Sequence, residues 1–302
     1  MRLGMALTVV GTLTAAGNAA ASTLVYVCGR DLCTSDDRGR DREGLTRDGA
    51  RVGGYSRPTI DRAGRRVAFK LGDPGRVFTA DARARRRTRI APVPDGPRDA
   101  TQLDAAISPD GRRVAWVETR INVTFGGSDF RRYVAGARGE SPRQVAANGG
   151  RPFVGWFDPL TIVREGPPAE VPPLRPDQSL CLPDSATATN GVCGHVIARD
   201  PARNLRHPSV SANRRFVVAT AYAPPGDDDL SIDHTGATVL FNAVTGAVVR
   251  ELTRRPRDSG PVFSPDGRSV AFERNGGIWR VRVGGGGATR IVRSGRQPAW
   301  GR

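Results

Sequence analysis

Ile107-Ser-Pro-Asp-Gly-Arg-Arg-Val-Ala-Trp116 decides the fold, because it recurs as Phe263-Ser-Pro-Asp-Gly-Arg-Ser-Val-Ala-Phe272. A looser copy is Ile60-Asp-Arg-Ala-Gly-Arg-Arg-Val-Ala-Phe69. Two degenerate copies keep the frame, Val210-Ser-Ala-Asn-Arg-Arg-Phe-Val-Val-Ala219 and Val154-Gly-Trp-Phe-Asp-Pro-Leu-Thr-Ile-Val163. A truncated sixth is Pro298-Ala-Trp300. Counted from two residues before the apolar anchor, the copies begin at Pro58, Ala105, Pro152, Pro208, Pro261 and Pro298, at intervals of 47, 47, 56, 53 and 37. Self-similarity at such a period marks a repeat architecture.

Each copy has a mechanical reading. Ser at the first turn position, Pro at the second and Gly at the fourth suit a type I turn, as in Ser108-Pro109-Asp110-Gly111 and Ser264-Pro265-Asp266-Gly267. The Pro-x-apolar segment before it is a short strand, with proline near its start because it lacks a donor. The Arg-Val-Ala-aromatic run after it is a second strand. Third strands follow at Arg76–Ala80, Thr238–Phe241 and Gly277–Val281, and fourth segments at 88–90, 248–253 and 288–292. Four short strands per ~45 residues make one propeller blade.

The ends complement each other. Pro298-Ala-Trp300 is a first strand with nothing after it, while Thr23–Cys28, Leu32–Thr34 and Asp41–Thr46 read as second, third and fourth strands. Joining them closes the ring and removes exposed sheet edges. The expectation is an all-β, six-bladed propeller of four-stranded blades over residues 22–302, its closing blade built from both termini. A β-sandwich with recurring turns explains neither the spacing nor the complementary ends.

The S-P-D-G-x-x-[VI]-A-[FW] repeats, with Ile278-Trp279-Arg280-Val281 and Leu252-Thr253 further on, resemble the WD40-like PD40 repeat. That repeat builds the propeller of TolB-like proteins and the propeller in front of prolyl oligopeptidase-type hydrolases. The resemblance spans residues 23–302. It implies an extracytoplasmic propeller that binds other proteins at its axial opening. The TolB domain that precedes the propeller is not matched. The hydrolases carry a catalytic domain, and no G-x-S-x-G nucleophile elbow occurs here, so peptidase activity is not expected.

The 302 residues carry 46 basic and 30 acidic side chains, a net charge of +16. Lys70 is the sole lysine. Such arginine skew, with abundant Ala and Gly, reads as codon usage in a GC-rich genome. The functional alternative is contact with an anionic polymer. A hydrophobic content of 38% suffices for a core and argues against a wholly disordered chain. No charge-free apolar run follows the N-terminal segment, which excludes a multispan membrane protein.

Residues 1–21 read as a secretory signal: Arg2, an apolar stretch from Leu3 to Ala16, and the small residues Ala19-Ala20-Ala21 before Ser22. An uncleaved anchor is the rival reading. With cleavage no transmembrane segment is left, and the protein is secreted or periplasmic. The four cysteines, Cys28, Cys33, Cys181 and Cys193, all follow that segment. An even count in an exported chain suggests disulfides, with local pairs Cys28–Cys33 across a tight hairpin and Cys181–Cys193 around a polar loop. With no C-x-x-C spacing and only His195, His207 and His234, zinc is not expected.

Candidate chemistry is sparse. Asp227, Asp229 and Asp233 belong to the densest acidic cluster, a possible calcium site by ligand type, though not by the spacing of a known calcium loop. Arg83, Arg85 and Arg87, with Arg86 and Arg89, form the densest basic run. It reads either as an anion-binding face on an outer strand or as charge that guards a sheet edge. No aromatic interleaving marks a nucleic-acid platform. Gly166–Pro176 is proline-rich and reads as a stiff insertion. His195 and His207 look incidental. The expected function is a monomeric, exported, non-catalytic platform without cofactor, which binds a protein or cell-envelope component. The alternative is a metal-dependent hydrolase or lyase acting on carbohydrate or lactone from the central axis.

Overall fold

The computed structural model describes residues 22–72, 75–90, 101–122, 127–146, 155–165, 179–183, 193–222, 236–254 and 257–302. The signal reading, the acidic cluster and the proline-rich insertion fall outside these residues. Everything described is β-structure and turns.

The chain starts with β1 (Thr23–Cys28), β2 (Asp31–Asp36) and β3 (Glu43–Gly44). Blade two is β4 (Tyr55–Ile60), β5 (Arg66–Leu71), β6 (Arg76–Asp81) and β7 (Thr88–Arg89). Blade three is β8 (Thr101–Ile107), β9 (Arg113–Asn122), β10 (Gly127–Gly136) and β11 (Arg143–Ala146). After β12 (Gly155–Trp156), β13 (Ile162–Glu165), β14 (Ser179–Pro183) and β15 (Cys193–Arg199) comes blade five. It holds β16 (Asn204–Val210), β17 (Phe216–Tyr222), β18 (Ala237–Asn242) and β19 (Val248–Glu251). Blade six holds β20 (Asp258–Phe263), β21 (Ser269–Arg274), β22 (Gly277–Arg282) and β23 (Thr289–Val292). Finally β24 (Arg296–Gly301) pairs antiparallel with β1, completing blade one as β24-β1-β2-β3.

The expectation of a six-bladed propeller is corrected. The regular four-stranded blades number five. The strands β12–β15 are hydrogen-bonded in order, but in two staggered pieces. Ile162 and Val163 of β13 pair only with β12, whereas Arg164 and Glu165 pair only with β14. Two further register shifts interrupt β14–β15. The cause is visible in the sequence, where Gly-Trp-Phe-Asp-Pro-Leu replaces the Ser-Pro-Asp-Gly turn. This fourth sector fills its place in the ring without forming one continuous sheet.

The repeat motif works through its turns. Gly111 N–H donates to Ser108 O at 2.9 Å, and Gly267 N–H to Ser264 O at 2.8 Å. The Ser108 hydroxyl donates to Asp110 Oδ1 at 2.6 Å and accepts from Arg113 N–H at 2.9 Å. Ser264 repeats this with Asp266 and Ser269, and Ser211 with Asn213 and Phe216. The short polar side chains thus satisfy turn donors that no strand can reach. Gly64 shows why the turn needs glycine: φ is +68°, and a Cβ would stand 1.6 Å from the carbonyl oxygen of Arg302.

Apolar faces of neighbouring sheets form the core. Trp116 is fully buried, stacks on Tyr133 at 5.5 Å between centroids, and donates its indole N–H to Glu118 at 2.8 Å. Cys28 and Cys33 form a disulfide. They are not cross-strand partners: Cys28 faces Asp31 and Cys33 faces Tyr26, so the bridge runs diagonally across the hairpin. Cys181 is buried on β14, whereas the side chain of Cys193 lies outside the description.

Candidate functional site: the axial cavity

The first strand of each group faces the axis. The strands β24, β4, β8, β12, β16 and β20 touch one another in turn and enclose a cavity of about 1020 Å³. Hydroxyls stitch the ring together. Thr59 Oγ1 accepts from Ile107 N–H at 2.9 Å, and Ser209 Oγ from Phe263 N–H at 3.2 Å. Both follow the blade's proline. The Trp156 indole donates to Ala106 O at 2.9 Å, tying the fourth sector to blade three.

The proline also sets the lining. In β4, β16, β20 and β24 the residue before it adopts a left-handed backbone: Arg57 (φ +52°), His207 (+51°), Gly260 (+57°) and Gln297 (+52°). A register shift against the second strand accompanies each. A bulge of this kind re-aims a side chain. A non-glycine residue held there costs about 1–3 kcal/mol, and such strain clusters at functional sites. All four residues line the cavity. Gln297 Oε1 accepts from Arg57 N–H at 2.7 Å, and Gln297 N–H donates to Glu273 at 3.0 Å.

The lining is mixed. Ile60, Ile107, Trp156, Val262 and Phe263 supply apolar wall. Arg57, Arg62, Arg206 and Arg296 outnumber the two carboxylates, Asp104 and Glu273. Arg206 lies over the Tyr222 ring at 5.3 Å. His207 is half-buried and its Nδ1 is sealed from solvent with no hydrogen-bond partner. Burial, then the charges of Arg57 and Arg206, hold its pKa well below the usual imidazole value. It is therefore neutral at pH 7. Unfolding releases it to titrate near ~6.5, so the unfolded state binds the proton first. Stability should be full above about pH 6.5 and fall as the pH drops through the folded value. Urea melts at pH 7 and pH 5 will show this, and His207→Gln should flatten the loss.

The basic run lies in the turn leading into the outer strand β7, which only its last member, Arg89, enters. Arg83 and Arg85 sit in the turn between β6 and β7, where both backbone N–H groups donate to Asp81, at 3.1 and 2.8 Å. Arg87 folds back to pair with Asp48 at 3.1 Å and to lie over Tyr55 at 5.3 Å. It pins blade two to the loop before it. Asp227, Asp229 and Asp233 lie outside the described residues. Among the described residues no three His, Cys, Asp or Glu side chains are grouped to hold a metal. His195 is exposed, with Nε2 3.0 Å from Ala243 O. Sequence reasoning missed the cavity residues Arg57, His207 and Gln297. The available signal was their shared place, one residue before the first-strand proline.

No protein-family model matches the chain, and no curated protein sequence does. Solved structures do. TolB from Acinetobacter baumannii superposes with a TM-score of 0.62 at 13% identity, over 92% of this chain and 66% of that one. This chain thus spans just under two thirds of that protein. A putative TolB from Agrobacterium tumefaciens gives 0.58 at 16%, over 92% and 91%. A chain of the nidogen/laminin complex gives 0.61 at 10%, over 93% and 98%. At these identities the likeness establishes the fold alone, a β-propeller like those of the TolB structures.

Proposed function

We propose that this chain is an exported, non-catalytic propeller that binds a partner protein at its axial cavity. The observation that carries the reading is the cavity itself. It is walled by apolar and cationic side chains, and the strained x-Pro positions add Arg57, His207 and Gln297 to its lining. Its volume lies at the upper end of the ~300–1,000 Å³ typical of small-molecule pockets, which suits a larger ligand. TolB-like neighbours support protein binding, and the Cys28–Cys33 disulfide supports a location outside the cytoplasm. The enzyme alternative has no comparable support. Asp104 accepts from Ala105 N–H at 3.0 Å and Glu273 from Gln297 N–H, so both lining carboxylates already serve the backbone.

Gly260 allows a direct test. A Cβ there meets nothing within 4 Å, and its neighbours in the ring carry side chains at the same backbone angle. Gly260→Trp should obstruct the cavity with an indole ring and leave the blades intact. In the producing cell, cross-linking should yield a partner adduct with the wild-type chain and with Val249→Arg, an outer-strand change. Gly260→Trp should lose it. An adduct lost with Val249→Arg and kept with Gly260→Trp would contradict the reading.

A further inference from the structure

The turns between first and second strands ring one mouth of the cavity. Arg302 N–H donates to Arg62 O at 3.1 Å, Arg62 N–H to Pro109 O at 3.1 Å, and Arg113 to Pro159 O at 2.8 Å. Each turn spends its acidic or amide residue on its own backbone. Asp61 is fully buried and accepts from Arg65 and Arg66 N–H at 2.6 and 2.8 Å. Asp110 and Asp266 accept from the hydroxyl and the backbone of their own turns. Asp158 accepts from Leu160 and Thr161 N–H.

The arginines of the same turns face solvent. Arg62, Arg112, Arg268 and Arg302 make no ion pair among the described residues, and Arg214 reaches Asp158 only at 4.0 Å. The rim therefore presents cationic charge that the turns do not neutralise. Arg62, exposed overall but lining the mouth, has its pKa pushed down first by partial burial there and then by the charges of Arg214 and Arg302. Leu160, 68% exposed, adds an apolar contact to this rim. Inside the mouth, arginine again outnumbers carboxylate, and the wall between is apolar.

We propose that this mouth receives an acidic peptide segment of the partner protein, its carboxylates paired with Arg62, Arg214 and Arg302. This rests on the axial-binding reading above. A guanidinium fork matches a carboxylate in two parallel hydrogen bonds. A phosphate polymer would satisfy the charge as well. The aliphatic and aromatic wall and Leu160 favour a chain that carries side chains of its own.

The test titrates the full chain with three probes: a Gly-Ser peptide bearing glutamates, the same peptide with glutamines, and inorganic polyphosphate of matched charge. The glutamate peptide should bind, weaken on raising salt from about 0.05 to about 0.5 M, and lose about tenfold or more with Arg62→Gln/Arg214→Gln/Arg302→Gln. The exposed substitutions should leave the melting temperature unchanged. Equal binding of the glutamine peptide, or an unaffected triple variant, would overturn the proposal. So would polyphosphate that binds much tighter than the glutamate peptide. Gly260→Trp separates the two claims. If it abolishes peptide binding and the triple variant does not, the axial reading stands and the acidic partner falls. If the triple variant alone matters, the cationic rim stands and the cavity falls.

Discussion

Replacing Asp258 by alanine should cost about 3–5 kcal/mol of folding stability, because it strands a buried guanidinium. Asp258 is fully buried and Arg274 is 6% exposed. The carboxylate accepts from Arg274 Nε at 2.6 Å and from Nη2 at 2.8 Å, and from the Thr253 hydroxyl. Arg274 in turn lies over the rings of Phe272 and Trp279, at 4.9 and 5.1 Å. This network fixes the entry of the chain into blade six, where Asp258 also exchanges backbone hydrogen bonds with Gly236. Two charges have left water here, and the pair persists because each has its partner. Urea denaturation measures the effect, and a loss below about 1 kcal/mol would refute it. Asp258→Leu/Arg274→Met, which removes both charges, should recover much of the loss.

Removing residues 296–302 should have the larger effect, of the order of the whole ~5–15 kcal/mol that stabilises a folded domain. These residues form β24, which supplies the inner strand of blade one and leaves no free edge on β1. Ala299 and Trp300 are buried, and the Arg302 backbone holds the turn of blade two. Without the strand, Leu24 and Tyr26 lose their cover, and β1 becomes an unpaired apolar edge prone to association. The shortened chain should lose its cooperative thermal transition and aggregate. A synthetic 296–302 peptide added in excess should restore part of the transition by binding only the folded form. A shortened chain with an unchanged melting temperature would contradict the closure.

Much of the fold was legible because the turn chemistry is local. Ser108, Ser211 and Ser264 act on residues within five positions of themselves, so the motif and its mechanism share one short window. The complementary ends were legible for a similar reason, since β24 carries the first-strand pattern without its sequel. The fourth sector was misjudged because frame and spacing survive there while the turn residues do not. A two-residue ladder on each side of β13 cannot be inferred from apolar periodicity.

The cavity was harder to foresee. Strand alternation predicts which side chains face a core, but a bulge at x-Pro shifts the register and re-aims the residue before proline. His207 therefore read as incidental, yet it lines the axis within reach of the charges of Arg57 and Arg206. The arginine rim was obscured by composition. With arginine so abundant, its presence in a turn is uninformative until the turn acids are seen to be spent on backbone donors. Arg83 and Arg85 show the same device in an outer turn, with Asp81 as the acceptor.

Hydrogen exchange of the full chain with and without the glutamate peptide tests the central claim most directly. Protection should appear in the rim turns 61–65 and 211–215 and along β4, β16 and β20. The outer strands β7, β19 and β23 should exchange as before. Protection confined to those outer strands, with the rim and inner strands unchanged, would contradict an axial binding site.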